Sequence, residues 1–533
     1  MDLIKRYPGR SLNRLGKDNT AVVLTLQFSL GVFYGLGFAP LGWWPVALGA
    51  LTGHLIVLQR PDNVYVSSVG GWMFGIGFFA ISLHWIQESF AFGPVALRSL
   101  GWGAVLGLGL ALGLFNGMFA LSAHWLRPKD ILRPLMLAAL WISMEWLRSS
   151  VLSGFPWNLA AYVWSNVLPM LQATAYVGVY GLGFLTILSC ATFAQLFIAA
   201  SYRRAPLIAL SAVIVMLMAA IYIGGIRRLE ASAALSTQFR VRLVQANISQ
   251  GRKWDTRERE RIFADYLEAT ARAENVPSVV VWPETAVPFL LDEEPARRAF
   301  ATKALPPDGY LVTGGLRREI YESGERRFFN SVLAITARGA VTGRYDKVHL
   351  VPFGEFVPLA SLNPFPRLTA GLSDFTAGSS HSALNLGKGV VVAPLICYEA
   401  IFPGDLRALA SEATVLVNVT NDAWFGMSWG PYQHLAMARV RAIELGLPLV
   451  RAANTGISAV FDPLGRSLAE IPLGARAYAD VDVPSPLPHR TVYSQVGEWP
   501  LFAFFSFVLA IGAVGQLRQR WSTPAALTTN RSD

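Results

Sequence analysis

The sequence is poor in the residues that build disulfide frameworks and metal sites. It contains two cysteines, Cys190 and Cys397, and seven histidines among 533 residues. Two cysteines cannot form a disulfide framework, so cysteine usage says little about the compartment. No cysteine and histidine cluster has the spacing of a metal-binding motif, and the sequence therefore predicts no metal site.

Charged residues are also scarce. They make up 15% of the chain, hydrophobic residues make up 53%, and the mean hydropathy is +0.40. A soluble protein of this length carries more charge. The apolar excess lies before residue 226 and in a short stretch near the C-terminus, with an ordinary globular composition between them. We therefore predict a polytopic membrane protein that carries one soluble domain.

Eight apolar segments have about the length of membrane spans. They cover residues 20–38, 43–58, 66–86, 100–126, 132–146, 168–200, 205–226 and 499–517. The long apolar region behind the first segment favours an uncleaved span over a signal peptide. The predicted domains are residues 1–230 with seven spans, 231–490 with the soluble domain, and 491–533 with the eighth span and a cytoplasmic tail.

Lysine and arginine in the short connections predict the orientation. When the connections are assigned to alternate sides, one side receives only Arg98 and Arg148 before the soluble domain begins. The other, basic side should be cytoplasmic. The soluble domain then lies on the far side of the inner membrane, which is the periplasm in a Gram-negative bacterium. This asymmetry accounts for much of the net charge of +10 and favours membrane topology over nucleic-acid binding. The basic side comprises Lys5, Arg6, Arg10, Arg14, Lys17, Arg60, Arg127, Lys129, Arg133, Arg203, Arg204, Arg518 and Arg520.

The soluble part mixes strand and helix patterns, which favours a layered α/β or α+β domain. Alternating apolar and basic residues predict a strand over 239–247, and a valine run predicts another over 278–282. Further strands are expected at 310–313, 330–336, 390–396 and 414–418, and helices at 256–274 and 432–445.

Three polar residues stand at or just after predicted strands. They are Glu284 in VVVWPE, Lys347 in YDKVHLVPFGE and Cys397 in VVAPLICYE. A carboxylate near a thiol can accept its proton, and a lysine can stabilise both a thiolate and an oxyanion. Taken singly, most such cysteines are small buried hydrophobes, and strand-end glutamates and lysines are usually solvated. The spacing alone does not establish that the three residues meet.

Four segments together resemble the motifs of the nitrilase superfamily: VVVWPET, YDKVHLVPFGE, LICYEAIFP and NVTNDAWFG. With the spans and the segments SMEWLR and GFPWN of the membrane part, the whole chain resembles the membrane-embedded apolipoprotein N-acyltransferase family. The resemblance implies an αββα sandwich on about eight membrane helices. It also implies a triad in which Glu284 is the general base, Lys347 the stabilising cation and Cys397 the nucleophile, without a metal or diffusible cofactor.

The same resemblance implies a two-step acyl transfer. The cysteine takes an acyl chain from a phospholipid, with the sn-1 position of phosphatidylethanolamine as the expected donor, and passes it to the α-amino group of a diacylated apolipoprotein. We expect a monomer in the lipid bilayer. A membrane-anchored amidase or nitrilase and a binding-only protein are the alternatives. The intact triad opposes the second alternative, and the long membrane part opposes the first.

Further residues are expected to support the triad. Glu355 could hold the lysine or help the general base move protons, and Glu399 is either structural or functional. Tyr398 either shapes the acyl pocket or only packs, and Trp254 is a lid, a pocket wall or a packing residue. Two loops carry aromatic and other apolar residues that either face lipid or form a packed patch. These residues are Phe353, Phe356, Trp424, Phe425, Met427 and Trp429.

Ionisable residues also occur inside the predicted spans. Glu145 and Arg148 lie near the end of the fifth span, and His84 and Glu88 at the end of the third. Such groups often indicate function, but a pair one helical turn apart can simply neutralise itself. The aromatic residues of the loop GFPWNLAAYVW are explained either by an interface belt or by a lipid entrance.

Overall fold

The computed structural model describes residues 20–59, 61, 63–92, 95–126, 131–199, 204–231, 236–272, 277–357 and 374–522. These residues form a helical part and a part built on two β-sheets. The predictions made for residues 1–19, for Arg60, Arg127, Lys129 and Arg203, and for the tail from residue 523 lie outside this set.

Apolar helices make up the first part. In chain order they are α1 Thr20–Gly35, α2 Trp44–Leu58, α3 Val64–Ser82, α4 Ile86–Ser89, α5 Gly101–Trp125, α6 Leu132–Ser150, α7 Leu168–Leu171, α8 Thr174–Ile198 and α9 Arg204–Ala231. Among the residues that the structure describes, four segments are long and apolar enough to cross a membrane: Val64–Ser82, Arg98–Trp125, Thr174–Ile198 and Arg204–Ala231. Shorter apolar helices cover Thr20–Gly35, Trp44–Leu58 and Trp499–Gly515. This composition is that of a membrane domain, as the sequence predicts.

The sixth predicted span is interrupted rather than straight. Gly178, inside α8, has φ 64° and ψ 179°, and the amide of Val179 donates to Oε1 of Glu444 at 2.8 Å. A Cβ atom at Gly178 would lie 2.4 Å from the ring of Tyr493. Glycine is therefore required by both the positive φ and the close approach, and the break lets the sheet-containing part dock on α8.

The second part contains two six-stranded sheets. Its helices are α10 Gln250–Lys253, α11 Arg259–Ala271, α12 Pro295–Thr302, α13 Gly430–Leu445 and α14 Val492–Val496, followed by α15 Trp499–Ser522. Its strands are β1 Thr237–Gln245, β2 Val279–Trp282, β3 Tyr310–Ile320, β4 Arg326–Thr336, β5 Val341–Asp346, β6 Leu384–Asn385, β7 Val391–Ile396, β8 Val415–Thr420, β9 Leu449–Ala453, β10 Ser458–Phe461, β11 Ser467–Ile471 and β12 Ala477–Pro484. The sheet orders are β12-β1-β2-β3-β4-β5 and β11-β10-β9-β8-β7-β6.

Successive residues of a strand point to opposite faces of its sheet and therefore lie in different layers of the domain. In β2, Val279 and Val281 pack into the core between the two sheets, whereas Val280 and Trp282 face the layer that contains α11. The outer face of the second sheet packs on α13. The order helix, sheet, sheet, helix confirms the predicted αββα sandwich, and each strand predicted from the sequence coincides with an observed one.

Helix α13 joins the sandwich to the membrane helices. One of its faces packs on the second sheet, and the other packs into the core formed by the membrane helices. Because a helix repeats every 3.6 residues, two apolar stripes on opposite faces leave little of α13 for solvent. The sheet-facing residues are Ala438, Ala442 and Leu445, and the membrane-facing residues are Met437, Val440 and Ile443.

Candidate active site

The carboxyl ends of three strands carry the predicted triad. Strand β2 leads into Glu284, β5 ends directly before Lys347, and β7 ends directly before Cys397. Strand β5 runs in the same direction as β2 and β3, because β4 is antiparallel to both β3 and β5. This topology places Glu284 and Lys347 at one end of the first sheet, and the charges of both act on the thiol of Cys397.

Lys347 lies between two buried glutamates. Its Nζ is 2.7 Å from Oε2 of Glu355 and 3.9 Å from Oε1 of Glu284. Nδ2 of Asn330 donates to Oε1 of Glu284 at 2.7 Å and to Oε1 of Glu355 at 2.8 Å. All four side chains are buried. The amide bridge and the shared cation therefore fix the two carboxyl groups relative to each other.

Burial sets the proton affinities of this cluster. It raises the pKa of Glu284, with Glu355 adding to the rise and Lys347 opposing it. Burial works to lower the pKa of Lys347, but Glu355 and Glu284 outweigh that effect and the pKa of Lys347 rises. The lysine consequently stays charged, while Glu284 holds its proton to higher pH than an ordinary glutamate does.

Cys397 begins a strained turn. Its φ is 49°, in the left-handed region that residues with a Cβ rarely adopt, and Thr285 and Phe353 have φ values of 44° and 62°. Thr285 directly follows Glu284, and Phe353 lies two residues before Glu355. Strained backbone of this kind tends to cluster at functional sites, where the surrounding structure enforces it.

The thiol of Cys397 rests in its protonated form. Burial raises its pKa, with Glu284 adding to the rise and Lys347 opposing it. The nucleophilic form is the thiolate, so the proton has to leave as the sulfur attacks. Glu284 is the carboxyl group whose charge acts most strongly on that thiol.

Glu399 ties the cysteine turn to the segment after Lys347. Its Oε2 accepts from the amide of Ile396 at 2.8 Å, and its Oε1 accepts from the amide of Val348 and the hydroxyl of Tyr345, each at 2.7 Å. Oε1 also lies 3.2 Å from the amide nitrogen of His349. These bonds favour the structural role over the catalytic one, because they use the carboxylate to hold backbone.

The other predicted supporting residues occupy different environments. Tyr398 is buried and donates from its hydroxyl to the carbonyl of Gly154 at 2.7 Å, which links the cysteine turn to the membrane part. Trp254 is 48% exposed and Phe353 is 40% exposed, while Trp424 is half-buried. The exposed rings of Trp254 and Phe353 are available to contact an apolar substrate.

The loop 424–429 packs mainly on the membrane part. The ring of Phe425 lies 4.4 Å from that of Trp85, and the ring of Trp429 lies 4.8 Å from that of His84. Met427 is instead 72% exposed. The two aromatic residues thus belong to a packed patch, and Met427 is the apolar side chain that this loop presents outward.

Three groups that contact the predicted triad were not predicted from the sequence. Buried Lys253 donates from Nζ to the carbonyl of Glu284 at 3.1 Å, and burial lowers its pKa to about 8 although Glu284 and Cys397 oppose the shift. Asn330 bridges the glutamates. His434 places Nε2 3.0 Å from the carbonyl oxygen of Cys397. The position of Lys253 beside Trp254 in the motif GRKWD was the available signal.

His434 belongs to a buried network behind Cys397. Its Nδ1 lies 2.9 Å from Oδ1 of Asp422, and Nη2 of Arg451 donates to Oδ2 of Asp422 at 2.7 Å. Arg451 also donates to Asn418. This network was not predicted from the sequence. It supports the Cys397 backbone through His434 of α13, which is held with Asp422 by Arg451 of β9.

The ionisable residues of α6 hold the loop that follows it. Oε1 of Glu145 accepts from the amide of Ala160 at 2.9 Å, and Arg148 donates to the carbonyls of Phe155 and Trp157. This loop lies next to the cysteine turn, since it contains the Gly154 carbonyl that Tyr398 binds.

A cavity of about 590 Å³ lies between the two parts. Its walls come from the end of α6 with the turn after it, and from segments next to Lys347 and Cys397. The lining combines aromatic and aliphatic groups with serine hydroxyls and one histidine–aspartate pair. The lining residues are Ser149, Ser150, Leu152, Ser153, Val348, His349, Leu350, Phe356, Phe375, Ala377, Phe402 and Asp405.

Comparison with known proteins finds a matching family for each of the two parts. Residues 240–486 match the carbon-nitrogen hydrolase family, and residues 30–192 match the apolipoprotein N-acyltransferase N-terminal domain. An apolipoprotein N-acyltransferase from Rhodopseudomonas palustris is 36% identical, covering 90% of this chain and 93% of that protein. The chain belongs to the apolipoprotein N-acyltransferase family. This membership confirms the predicted enzyme class, an acyltransferase with a carbon-nitrogen hydrolase domain.

Other members of the apolipoprotein N-acyltransferase family match over similar lengths. The relative from Bradyrhizobium diazoefficiens is 35% identical over 96% of this chain and 99% of its own length, and that from Rickettsia prowazekii is 31% identical over 90% and 96%. Among solved structures, an amidase from Nesterenkonia sp. is 19% identical with a TM-score of 0.36, covering 51% of this chain and 99% of that chain.

Proposed function

We propose that Cys397, Glu284 and Lys347 transfer an acyl chain from a membrane phospholipid to the free α-amino group of the N-terminal diacylglyceryl-cysteine of apolipoproteins. The observation that carries this proposal is the buried cluster in which one lysine lies between two glutamates beside a buried thiol. The proposed donor position is sn-1 of phosphatidylethanolamine. Glu355 is proposed as the partner that keeps Lys347 charged and in place.

In the first step, Sγ of Cys397 attacks the ester carbonyl of the phospholipid while Glu284 takes the thiol proton. The carbonyl oxygen becomes an oxyanion, which Lys347 stabilises with its positive charge. The carbon–oxygen bond to glycerol then breaks, and the departing oxygen takes the proton back from Glu284. The products are a thioester on Cys397 and a lysophospholipid.

In the second step, the α-amino group of the apolipoprotein attacks the thioester carbonyl. Glu284 accepts a proton from the amine, the carbon–sulfur bond breaks, and the sulfur is reprotonated. The first product must leave before the second substrate reacts at the same sulfur, so the kinetics should be ping-pong.

The thioester must survive until the amine arrives. Exclusion of water by an apolar enclosure can achieve this. Buried Tyr398 and the aromatic walls of the cavity, Phe356, Phe375 and Phe402, offer such an enclosure beside the membrane helices. Trp254 and Phe353, each at least 40% exposed, are proposed to contact the acyl chains.

The proposed organisation follows the charge distribution of the sequence. Residues 1–230 and the helix after residue 490 lie in the bacterial inner membrane, and residues 231–490 form a periplasmic catalytic domain in a monomer. A reporter fused near Ala231 should report the periplasm, and reporters at both termini should report the cytoplasm. A cytoplasmic signal from the catalytic domain would contradict this orientation.

The decisive experiment is mass spectrometry of the purified enzyme after incubation with phospholipid alone. We expect a hydroxylamine-sensitive acyl group on Cys397, approaching about one per protein when hydrolysis is slow. Addition of a diacylated lipopeptide with a free N-terminus should discharge the acyl group to the amine.

Two controls distinguish acyl transfer from hydrolysis by a membrane-anchored amidase. An N-acetylated lipopeptide, which lacks the free amine, should leave the acyl group on the enzyme. Cys397→Ala should not be acylated. Rapid release of free fatty acid without stimulation by the lipopeptide would instead support the hydrolase.

A further inference from the structure

A second cluster of potential ligand side chains lies at the cavity, separate from the triad. His349, His381 and Asp405 each offer one ligand atom, and these atoms all lie within 4.8 Å of one another. His349 follows β5, His381 precedes β6, and Asp405 lies in the turn beyond the Cys397 helical turn. The sequence predicted no metal site because these residues are far apart in the chain and match no spacing motif.

The three ligand atoms converge on one point. Oδ2 of Asp405 lies 2.7 Å from Nδ1 of His349 and 3.9 Å from Nε2 of His381. The shorter contact has the length of an ion pair, and both of its atoms are buried. Ligands around a tetrahedral zinc ion lie about 3.4 Å apart. One observed separation, 2.7 Å, is shorter than this ligand–ligand distance, and the other, 3.9 Å, is longer.

A hydrogen-bond chain fixes the tautomer of His381. The hydroxyl of Tyr345 donates to Oε1 of Glu399 at 2.7 Å, so its oxygen accepts from Nδ1 of His381 at 2.9 Å. Nδ1 therefore carries a proton, and Nε2 is the ring nitrogen that lies 3.9 Å from Oδ2 of Asp405. Metal-binding histidines are held in this way by a partner on the second ring nitrogen.

The ring of His349 is held independently. It stacks on Phe402 with a centroid distance of 4.0 Å and an interplanar angle of 7°. Two oriented imidazoles and one carboxylate are a typical set of three protein ligands for zinc, which leaves a fourth position open. Magnesium and calcium prefer oxygen ligands and suit this set poorly.

We infer that His349, His381 and Asp405 bind a divalent transition-metal ion of the zinc class, with the open coordination position toward the cavity. The ion would tie the segment after Lys347 to the segment after Cys397, because His349 and Asp405 belong to those segments. Acyl transfer does not require the ion, so this inference is independent of the proposed function.

Metal binding is best measured on the full-length protein in detergent micelles that carries Cys397→Ala. This background is needed because Cys397, Asp422 and His434 also offer ligand atoms within 4.8 Å of one another. Equilibrium dialysis against Zn²⁺ should give one tightly bound ion per protein. Replacement by Co²⁺ should give the visible absorption of a four-coordinate ion with nitrogen and oxygen ligands.

Variants of the cluster provide the decisive comparison. In this background, His381→Ala and the nearly isosteric Asp405→Asn should weaken binding by more than about 100-fold. His489→Ala, at an exposed histidine outside the cluster, should bind as tightly as the parent. Tyr345→Phe, which keeps the ring and removes the oxygen that holds His381, should weaken binding by about 10–100-fold.

Two results would overturn the inference. One is the lack of saturable Zn²⁺ binding in the Cys397→Ala protein, which would leave an ordinary histidine–aspartate pair. The other is binding that remains unchanged in both Asp405→Asn and Tyr345→Phe, which are conservative enough to fold even if His381→Ala does not.

Discussion

The membrane part and the catalytic part each bury a glutamate near a cation, but the two glutamates have different partners. Glu145 accepts a hydrogen bond from the amide of Ala160, and Arg148 donates to carbonyls of the same loop. Glu284 instead faces Lys347 at 3.9 Å, beyond hydrogen-bond distance. Oε1 of Glu145 thus holds the backbone of the loop, whereas Oε1 of Glu284 accepts from the side chain of Asn330.

The difference fits a structural role for Glu145 and the proposed proton exchange for Glu284. Protonation of a carboxylate weakens the hydrogen bonds that it accepts, so proton exchange at Glu145 would weaken its hold on the loop backbone. Glu284 instead lies with a thiol, that of Cys397, and a charged lysine. A carboxylate in this setting can exchange its proton without loss of backbone hydrogen bonds. In the sequence both glutamates are simply ionisable residues in apolar surroundings.

Cys397→Ala should have the largest effect. Removal of the proposed nucleophile should lower the acyl-transfer rate by about a thousandfold or more, with no change in thermal unfolding. Cys190→Ala is the matched control, since Cys190 is buried in α8 with its thiol near the carbonyl of Leu48. Substantial acyl transfer by Cys397→Ala, measured with a fluorescent lipopeptide, would contradict covalent catalysis.

Glu284→Gln should have the second-largest effect. We expect kcat to fall by about 10²–10⁴-fold because the proposed general base is lost. The glutamine can still accept the hydrogen bond from Asn330, so the melting temperature should hardly change. A variant that retains more than about a tenth of the wild-type rate would exclude Glu284 as the base.

The strands around the site could be predicted because they are apolar runs between turn residues. Strands β2, β7 and β8 are rich in valine and buried. Glu284 lies just after the end of β2, and Cys397 directly follows β7. Other strands could not be predicted. β5 reads VTGRYD, β11 is mostly exposed and β6 has two residues, so these strands form because a neighbouring strand offers its backbone.

The supporting residues of the site depend on tertiary contacts that no local pattern records. Asn330 occupies an ordinary strand position, and its bridge between Glu284 and Glu355 exists only once β4 lies beside the loop after β5. His434 is one of many residues on an apolar helix. The break at Gly178 was likewise hidden within a continuous apolar segment.

Glu145→Ala should affect stability more than chemistry. It removes the acceptor for the amide of Ala160 and the indole of Trp141, which lie 2.9 and 3.0 Å from Oε1 of Glu145. Each orphaned donor should cost about 1–3 kcal/mol of the free energy of unfolding. Glu145→Gln keeps the acceptor oxygen and should unfold like the wild type. A loss of kcat at unchanged stability in Glu145→Ala would show that Glu145 has a chemical role.

Lys253→Met should have the smallest effect, a shift in pH dependence. The charge of Lys253 lowers the pKa of Glu284, which burial raises overall. Loss of this charge should raise that pKa further, so the acid limb of kcat/KM should move to higher pH by about one unit or less. Lys253→Arg keeps the charge and should leave the limb in place.

The kcat/KM values of Lys253→Met and the wild type can also be compared in alkaline solution, which gives a second, independent test. Because the pKa of Lys253 is lowered to about 8, the wild-type lysine loses its own charge as the pH rises through that value. Above it the wild type and Lys253→Met then carry the same charge beside Glu284, and their kcat/KM values should converge. Below it they should differ, with the variant slower. Profiles that stay parallel on both sides of this pH would mean that Lys253 acts through its hydrogen bond to the Glu284 carbonyl rather than through its charge.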